Sequence, residues 1–255
     1  MSEQKSLDWL GLAIGNSRLH WAWFSGEKLQ LTWHSSYLEQ IVVNNTIPLE
    51  IFPQASLFAK LAKLPICLAS VVPSQTRLWQ NYQPLHQISL ADVPLTGVYP
   101  TMGVDRALAV WGAGKTYGFP CLVIDGGTAL TFTGVDGQEQ LIGGAILPGL
   151  NLQLKSLNTY TSALPIVKLS TSLPNRWCLN TTQAIESGVI YTILSGINSF
   201  ITDWSDRFPH STIIFTGGDG FWLKKFWETY YSKTQPKVIL DTNLLFWGIK
   251  LVSFS

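Results

Sequence analysis

Two stretches of this chain, 112 residues apart, follow one plan. In the first, Trp9 to Ile14 reads as an apolar strand, Gly15-Asn16-Ser17 as a small polar turn and Arg18 to Phe24 as a second strand. Ser25-Gly26-Glu27 then turns the chain into Lys28 to Trp33, with Leu29, Leu31 and Trp33 on one face. In the second, Cys121 to Asp125 is the apolar strand, Gly126-Gly127-Thr128 the turn and Ala129 to Gly134 the returning strand. Asp136-Gly137 then reverses the chain into Gln140-Leu141-Ile142. A chain that opens twice in the same way is a duplicated domain and not one continuous sheet. Its 255 residues suit that, since domains usually run to about 100 to 200 residues. The boundary is expected in Gly112 to Gly118, where three glycines fall, giving domains 1–114 and 115–255.

Helices are expected after each opening hairpin. Leu57 to Leu64 reads as a short helix, Ile66 to Val72 as a buried strand and Asp105 to Trp111 as the start of another helix. Ile185, Val189, Ile190, Ile193, Leu194, Ile197 and Phe200 keep the helical period over several turns, and Asn180 with Gln183 is a capping pair at their start. Ser211 to Phe215 is a further strand, and Trp222, Leu223, Phe226, Trp227 and Tyr230 form a last helical stripe. Trp21 and Trp23 alternate with His20 and Ala22, which puts both indoles on one strand face. The class is α/β, two mixed sheets flanked by helices.

Composition narrows the function. Seventeen Lys and Arg against sixteen Asp and Glu leave a formal charge of +1, so no basic excess exists to neutralise a polyanion, and nucleic acid is not the expected partner. Charged residues make up 13% of the chain, against about 25% in an average soluble domain. That scarcity points to apolar surface buried against a partner, as in an oligomer. No stretch is read as a membrane span, and the start lacks the blocks of a secretory signal, so a cytoplasmic protein is expected. Cys67, Cys121 and Cys178 are odd in number and far apart, and His20, His34, His86 and His210 are scattered, so neither a disulfide framework nor a Cys/His metal site is expected.

Three small-residue loops end apolar strands: Gly15-Asn16-Ser17, Gly126-Gly127-Thr128 and Thr216-Gly217-Gly218-Asp219. One such loop alone is a tight turn. Three together suit phosphate, because glycine lets backbone N–H groups approach its oxygens without a Cβ in the way. Gly112-Ala113-Gly114-Lys115-Thr116 only imitates a P-loop: Ala109 stands where that motif needs its first glycine, and the segment follows a helix.

These loops, in this order, resemble the type III pantothenate kinases, members of the actin and sugar-kinase superfamily with two ribonuclease-H-like domains. Asp125-Gly126-Gly127-Thr128-Ala129-Leu130-Thr131 is similar to the family's second phosphate motif. Gly103-Val104-Asp105-Arg106 is similar to its substrate and catalytic motif, and Gly143 to Gly149 to the turn after its second hairpin. Asn180-Thr181 ahead of Ser187-Gly188, and Thr216 to Asp219, complete a likeness running from about Leu10 to Gly248. The resemblance implies transfer of the γ-phosphoryl of ATP to pantothenate, with Mg²⁺, a monovalent cation (K⁺ or NH₄⁺) and a homodimer. It implies Asp105 as proton acceptor, and Gly103, Val104, Asp105, Arg106, Thr181 and Tyr99 as pantothenate contacts. Ala13, Ile14, Gly15, Asn16, Ser17, Arg18, Leu19, His20 and Thr128 would contact ATP, with Thr216 to Gly220 near its adenosine. Asp125 would bind the monovalent cation. From chemistry alone, Asp105 could equally be a helix-starting carboxylate and Thr181 a helix-start residue.

Two departures stand out. The family's first phosphate motif reads Asp-x-Gly-Asn-Thr, and here it is Ala13-Ile14-Gly15-Asn16-Ser17, without the carboxylate that helps hold magnesium. Asp8 is five residues away on a strand rising about 3.3 Å per residue, too far to substitute without rearrangement, so either Mg²⁺ is held by ATP and other groups such as Asp105 or activity is reduced. The family's pantothenate-contacting tyrosine falls at Thr96, and Tyr99 is the nearest tyrosine. Two other readings share the fold: a non-catalytic regulatory relative, which Ala13 favours, and a superfamily kinase or phosphatase with another substrate.

Overall fold

The computed structural model describes residues 7–231, 236 and 238–253. The chain forms two compact units, Met1–Gly112 with Leu245–Ser255, and Ala113–Leu244.

Unit 1 opens with the meander β1 (Asp8–Ile14), β2 (Leu19–Ser25) and β3 (Lys28–Ser35), continues through α1 (Ala55–Leu61), β4 (Ile66–Ser70), α2 (Pro73–Thr76) and β5 (Leu85–Ile88), and carries the start of α3 (Val104–Tyr117). The sheet order is β3-β2-β1-β4-β5, with β2 antiparallel and β4 parallel to β1. Every residue of β1 after Asp8 is buried, as expected of a central strand covered on both faces. On one face Leu10, Leu12 and Ile14 pack with Trp21, Trp33, Trp79 and Tyr82. Trp21 stacks on Trp33 at 5.7 Å, and Trp23 lies on the same side, with the Lys60 ammonium 3.9 Å above its ring. The face expected on β3 is incomplete. Leu31 lies at the surface of this edge strand while Trp33 is buried, and a register shift at Trp23/Phe24 sets Leu29 opposite Phe24.

Unit 2 repeats the plan with β6 (Cys121–Gly126), β7 (Ala129–Val135), β8 (Leu141–Pro148), α4 (Leu150–Thr159), α5 (Thr181–Arg207), β9 (Thr212–Thr216), α6 (Gly220–Tyr231) and β10 (Val238–Leu240). Its sheet order, β10-β9-β6-β7-β8, is that of unit 1 read from the other edge, with the same parallel and antiparallel pairings. The duplication seen in the sequence is therefore a duplication of topology.

The 27 residues of α5 begin where the capping pair predicts: the Asn180 side chain accepts from the Gln183 N–H at 2.9 Å. By length and composition α5 is apolar enough to cross a membrane, which the sequence reading passed over. Its apolar side chains from Ile185 to Trp204 pack into the unit 2 core with Leu130, Phe132 and Phe215, the setting of a core helix. Gly134 makes that approach possible, because a Cβ there would stand 2.3 Å from the Trp204 ring.

The expected division at 114/115 needs one correction. The final helix, α7 (Leu244–Ser253), belongs with unit 1 from Leu245 onward. Gly248 sits so close to α3 that a Cβ would meet the Leu108 carbonyl oxygen at 2.1 Å, and Phe246 and Ile249 pack against Gly11 of β1. Chain order carries no trace of such a return. The segment Gly112 to Thr116 lies inside α3, where Lys115 pairs with Glu139 at 2.5 Å, so it is not a phosphate loop.

Candidate active site

In unit 2 the glycine turns converge at the ends of β6 and β9, which run parallel with Asp125 beside Thr216. The Asp219 N–H donates to the Gly126 carbonyl at 2.7 Å, locking one loop to the other. Gly217 has φ +83, and a Cβ there would stand 2.2 Å from the Asp125 carboxylate and 2.5 Å from the Gly126 oxygen. Only glycine fits. Gly149, just after β8, completes the cluster: its N–H donates to the Thr128 carbonyl at 2.9 Å, and a Cβ would meet the Gly127 oxygen at 2.0 Å. Asn151 donates to both Asp219 carboxylate oxygens at 3.1 Å. Asp125 and Asp219, with the carbonyls of Gly126, Gly127 and Thr128, give an all-oxygen surrounding. Such oxygen donors are of the kind that hold hard cations.

In unit 1 the ends of β1 and β4 gather the other group. The Val71 N–H, just past β4, donates to the Ile14 carbonyl at 3.2 Å, and the Val71 side chain lies 3.6 Å from where a Gly103 Cβ would stand. The same Cβ would fall 2.5 Å from Asp105 Oδ1, so Gly103 makes room for that carboxylate. Asp105 Oδ1 accepts from the Arg106 N–H at 2.8 Å. Burial raises the Asp105 carboxyl above the ordinary range, opposed by that hydrogen bond and the Arg106 charge. The buried Arg106 guanidinium donates to the Tyr99 hydroxyl at 2.8 Å. Tyr99, though 40% exposed, thus stands beside the Gly103–Arg106 segment.

The loop Gly15-Asn16-Ser17 closes with the Gly15 N–H donating to Arg18 O at 3.2 Å, and Tyr37 donates its hydroxyl to the Gly15 carbonyl at 2.5 Å. His20 is the cross-strand partner of Ala13, and Leu19 that of Ile14. Thr181 is exposed at the first turn of α5 and, with Leu164, Cys178 and Ile185, lines an open groove of ≈ 580 Å³ in unit 2.

A sequence model of the type III pantothenate kinases matches residues 9–203, well over half the chain. The chain belongs to the type III pantothenate kinase family. Members of this family from Nostoc sp. and Synechocystis sp. are 46% and 45% identical to it, over 96% and 99% of this chain and 94% and 93% of theirs. Among solved structures, a Campylobacter jejuni protein described as a Baf family transcriptional activator aligns with a TM-score of 0.61 at 21% identity, covering 95% of this chain and 96% of that one. The activator of the 2-hydroxyisocaproyl-CoA dehydratase from Clostridium difficile, with bound ADPNP, aligns with a TM-score of 0.51 at 11% identity over 97% and 94%. At those identities the likeness is one of fold, two α/β units each built on a mixed five-stranded sheet.

Set against the type III pantothenate kinase motifs, the geometry joins Gly103, Val104, Asp105, Arg106 and Tyr99 in unit 1, and Asp125, Thr128 and Gly217 in unit 2. Sequence reasoning missed Val71, Tyr37 and Asn151. Their roles are backbone and side-chain contacts across 22 to 68 positions, and no local pattern announces such pairs.

Proposed function

We propose that this chain transfers the γ-phosphoryl group of ATP to the primary hydroxyl of pantothenate, forming 4'-phosphopantothenate, the first step toward coenzyme A. The observation that carries it is Asp105. Its half-buried carboxylate has a raised proton affinity and lies beside a guanidinium already tied to a phenol. Phosphoryl transfer asks the protein for positioning and charge neutralisation more than for covalent help. Asp105 orients the hydroxyl and takes its proton, and Arg106 offers a fork of donors to a carboxylate or phosphoryl oxygen. Tyr99 holds that fork in place. Gly103, Val104 and Thr181 complete the pantothenate contacts.

The glycine loops supply backbone donors to ATP, with Thr128 from unit 2 and Ala13 to His20 from unit 1. Asp125, within its oxygen-rich surroundings, binds the monovalent cation, K⁺ or NH₄⁺, which adds positive charge beside the phosphates. Mg²⁺ would be brought by ATP, with Asp105 as the unit 1 carboxylate that could help to hold it. The unit 1 loop does not fit it, because Ala13 brings no carboxylate. The chain works as a homodimer in the cytoplasm: Trp177 is 89% exposed, Leu179 and Ile166 stand out near it in sequence, and no disulfide joins Cys67, Cys121 or Cys178.

A coupled assay of ADP release with and without pantothenate, in K⁺, NH₄⁺ and Na⁺ buffers, tests the reading. Release should require pantothenate and either K⁺ or NH₄⁺. Release independent of pantothenate would mean another substrate, and its complete absence would mean a non-catalytic relative.

A further inference from the structure

The two hairpins are topological copies, yet they carry opposite chemistry at one matched position. In unit 2 the penultimate residue of the central strand is Asp125, opposite Thr131; in unit 1 it is Ala13, opposite His20. Directly opposed residues share a sheet face, so His20 projects on the side where a carboxylate at position 13 would lie. Ala13 is itself only 2% exposed. His20 Nε2 lies 3.3 Å from where a Gly15 Cβ would stand, which places the ring edge against the loop. Arg18 belongs to the same turn, and the His34 ring meets His20 edge-on at 4.7 Å. The carboxylate of β1, Asp8, is at the strand's other end, 3.7 Å from Lys60. Among the described residues no group of three or more His, Cys, Asp or Glu side chains is placed to hold a metal ion. Burial first, then His34 and Arg18, bring His20 down to about 4, so at neutral pH it is an uncharged imidazole on the same turn as the Arg18 charge. A guanidinium repels a divalent cation and attracts phosphate.

We infer that the unit 1 loop grips nucleotide phosphate directly, through His20 Nε2–H and the Arg18 guanidinium, in place of a carboxylate-anchored divalent cation. This rests on the kinase reading and assigns the loop its ligand form, a nucleoside di- or triphosphate bound there without a protein-held metal. The unit 2 hairpin keeps a carboxylate, Asp125, at the matched position.

Calorimetric titration of the full chain with ADP and ATP, in excess Mg²⁺ and in excess EDTA, decides it. The unaltered chain should change affinity by less than about threefold between the two conditions. In EDTA, His20→Ala and Arg18→Ala should each bind roughly tenfold or more weakly, the scale of one hydrogen bond to a charged group. His20→Gln, which keeps an N–H donor, should retain most of the affinity, and matching thermal melts confirm that each variant is folded. Ala13→Asp combined with His20→Thr, which puts a carboxylate at the end of β1 and removes the imidazole opposite it, should make binding depend on Mg²⁺ by about tenfold. Unchanged binding by His20→Ala, or loss of the unaltered chain's binding in EDTA, overturns the inference. If the chain still phosphorylates pantothenate in that case, the kinase reading stands alone. A chain with neither nucleotide binding nor turnover removes both.

Discussion

Asp105 and Arg106 are neighbours in the chain with opposite demands. The carboxylate loses hydration on burial and is only partly repaid by the arginine beside it, so its proton affinity stays raised. Asp105→Asn should lower kcat by about 10² to 10⁴-fold, the usual worth of a positioned base, with little change in ATP affinity. The acid limb of kcat/KM should lie above the ordinary carboxylate range. The same shift bears on stability. A carboxyl with a raised folded pKa holds its proton longer in the folded state than in the unfolded one, so stability falls as pH rises through that window. Asp105→Asn should therefore melt higher than the parent at pH 7, and the gap should close below about pH 4. Gly217 and Gly218 make a second residue-level test. Gly217→Ala forces a Cβ into the Asp125 carboxylate at φ +83 and should cost on the order of 1–3 kcal/mol. Gly218→Ala meets nothing within 4 Å and should stay within about 0.5 kcal/mol by chemical denaturation.

At the scale of elements, α5 does more than fill the core. Its buried Glu186 accepts from the Ser170 N–H at 2.5 Å, Ser187 donates to the Arg176 carbonyl at 2.8 Å and Tyr191 donates to the Pro174 carbonyl at 2.8 Å. Arg176 also lies 4.9 Å from the Tyr191 ring and 5.6 Å from Tyr230. One helix face thus pins the irregular segment that leads into Thr181. Ser187→Ala with Tyr191→Phe should raise the KM for pantothenate several-fold, leave nucleotide affinity unchanged and open residues 160–180 to proteolysis. A matching loss of nucleotide affinity would show that the anchors act beyond this segment. The element itself was legible in advance, because its apolar period and its Asn180 cap are local signals. The anchors were not: each joins a side chain to a backbone group 11 to 17 positions away.

For the whole molecule, a chain with 13% charged residues leaves Trp177 89% exposed beside exposed Leu179. Sedimentation should find a dimer, and Trp177→Asp with Leu179→Asp should shift it to monomer by burying charge in an apolar contact. The repeat of strand, glycine turn and strand determined by itself that there are two like sheets, because alternation, turn chemistry and helical period act within a few residues of chain. The glycine turns after Asp125 and Thr216 were legible for the same reason, whereas the roles given to Asp105 and Asp125 came from the resemblance to a family and not from local pattern. Only the tertiary structure decided that α7 returns to unit 1, that Gly149 and Gly217 close on the Asp125 turn, and that His20 occupies the face left open by Ala13. Those outcomes depend on close packing and cross-strand register, where a missing Cβ or an opposed side chain matters only once distant segments meet.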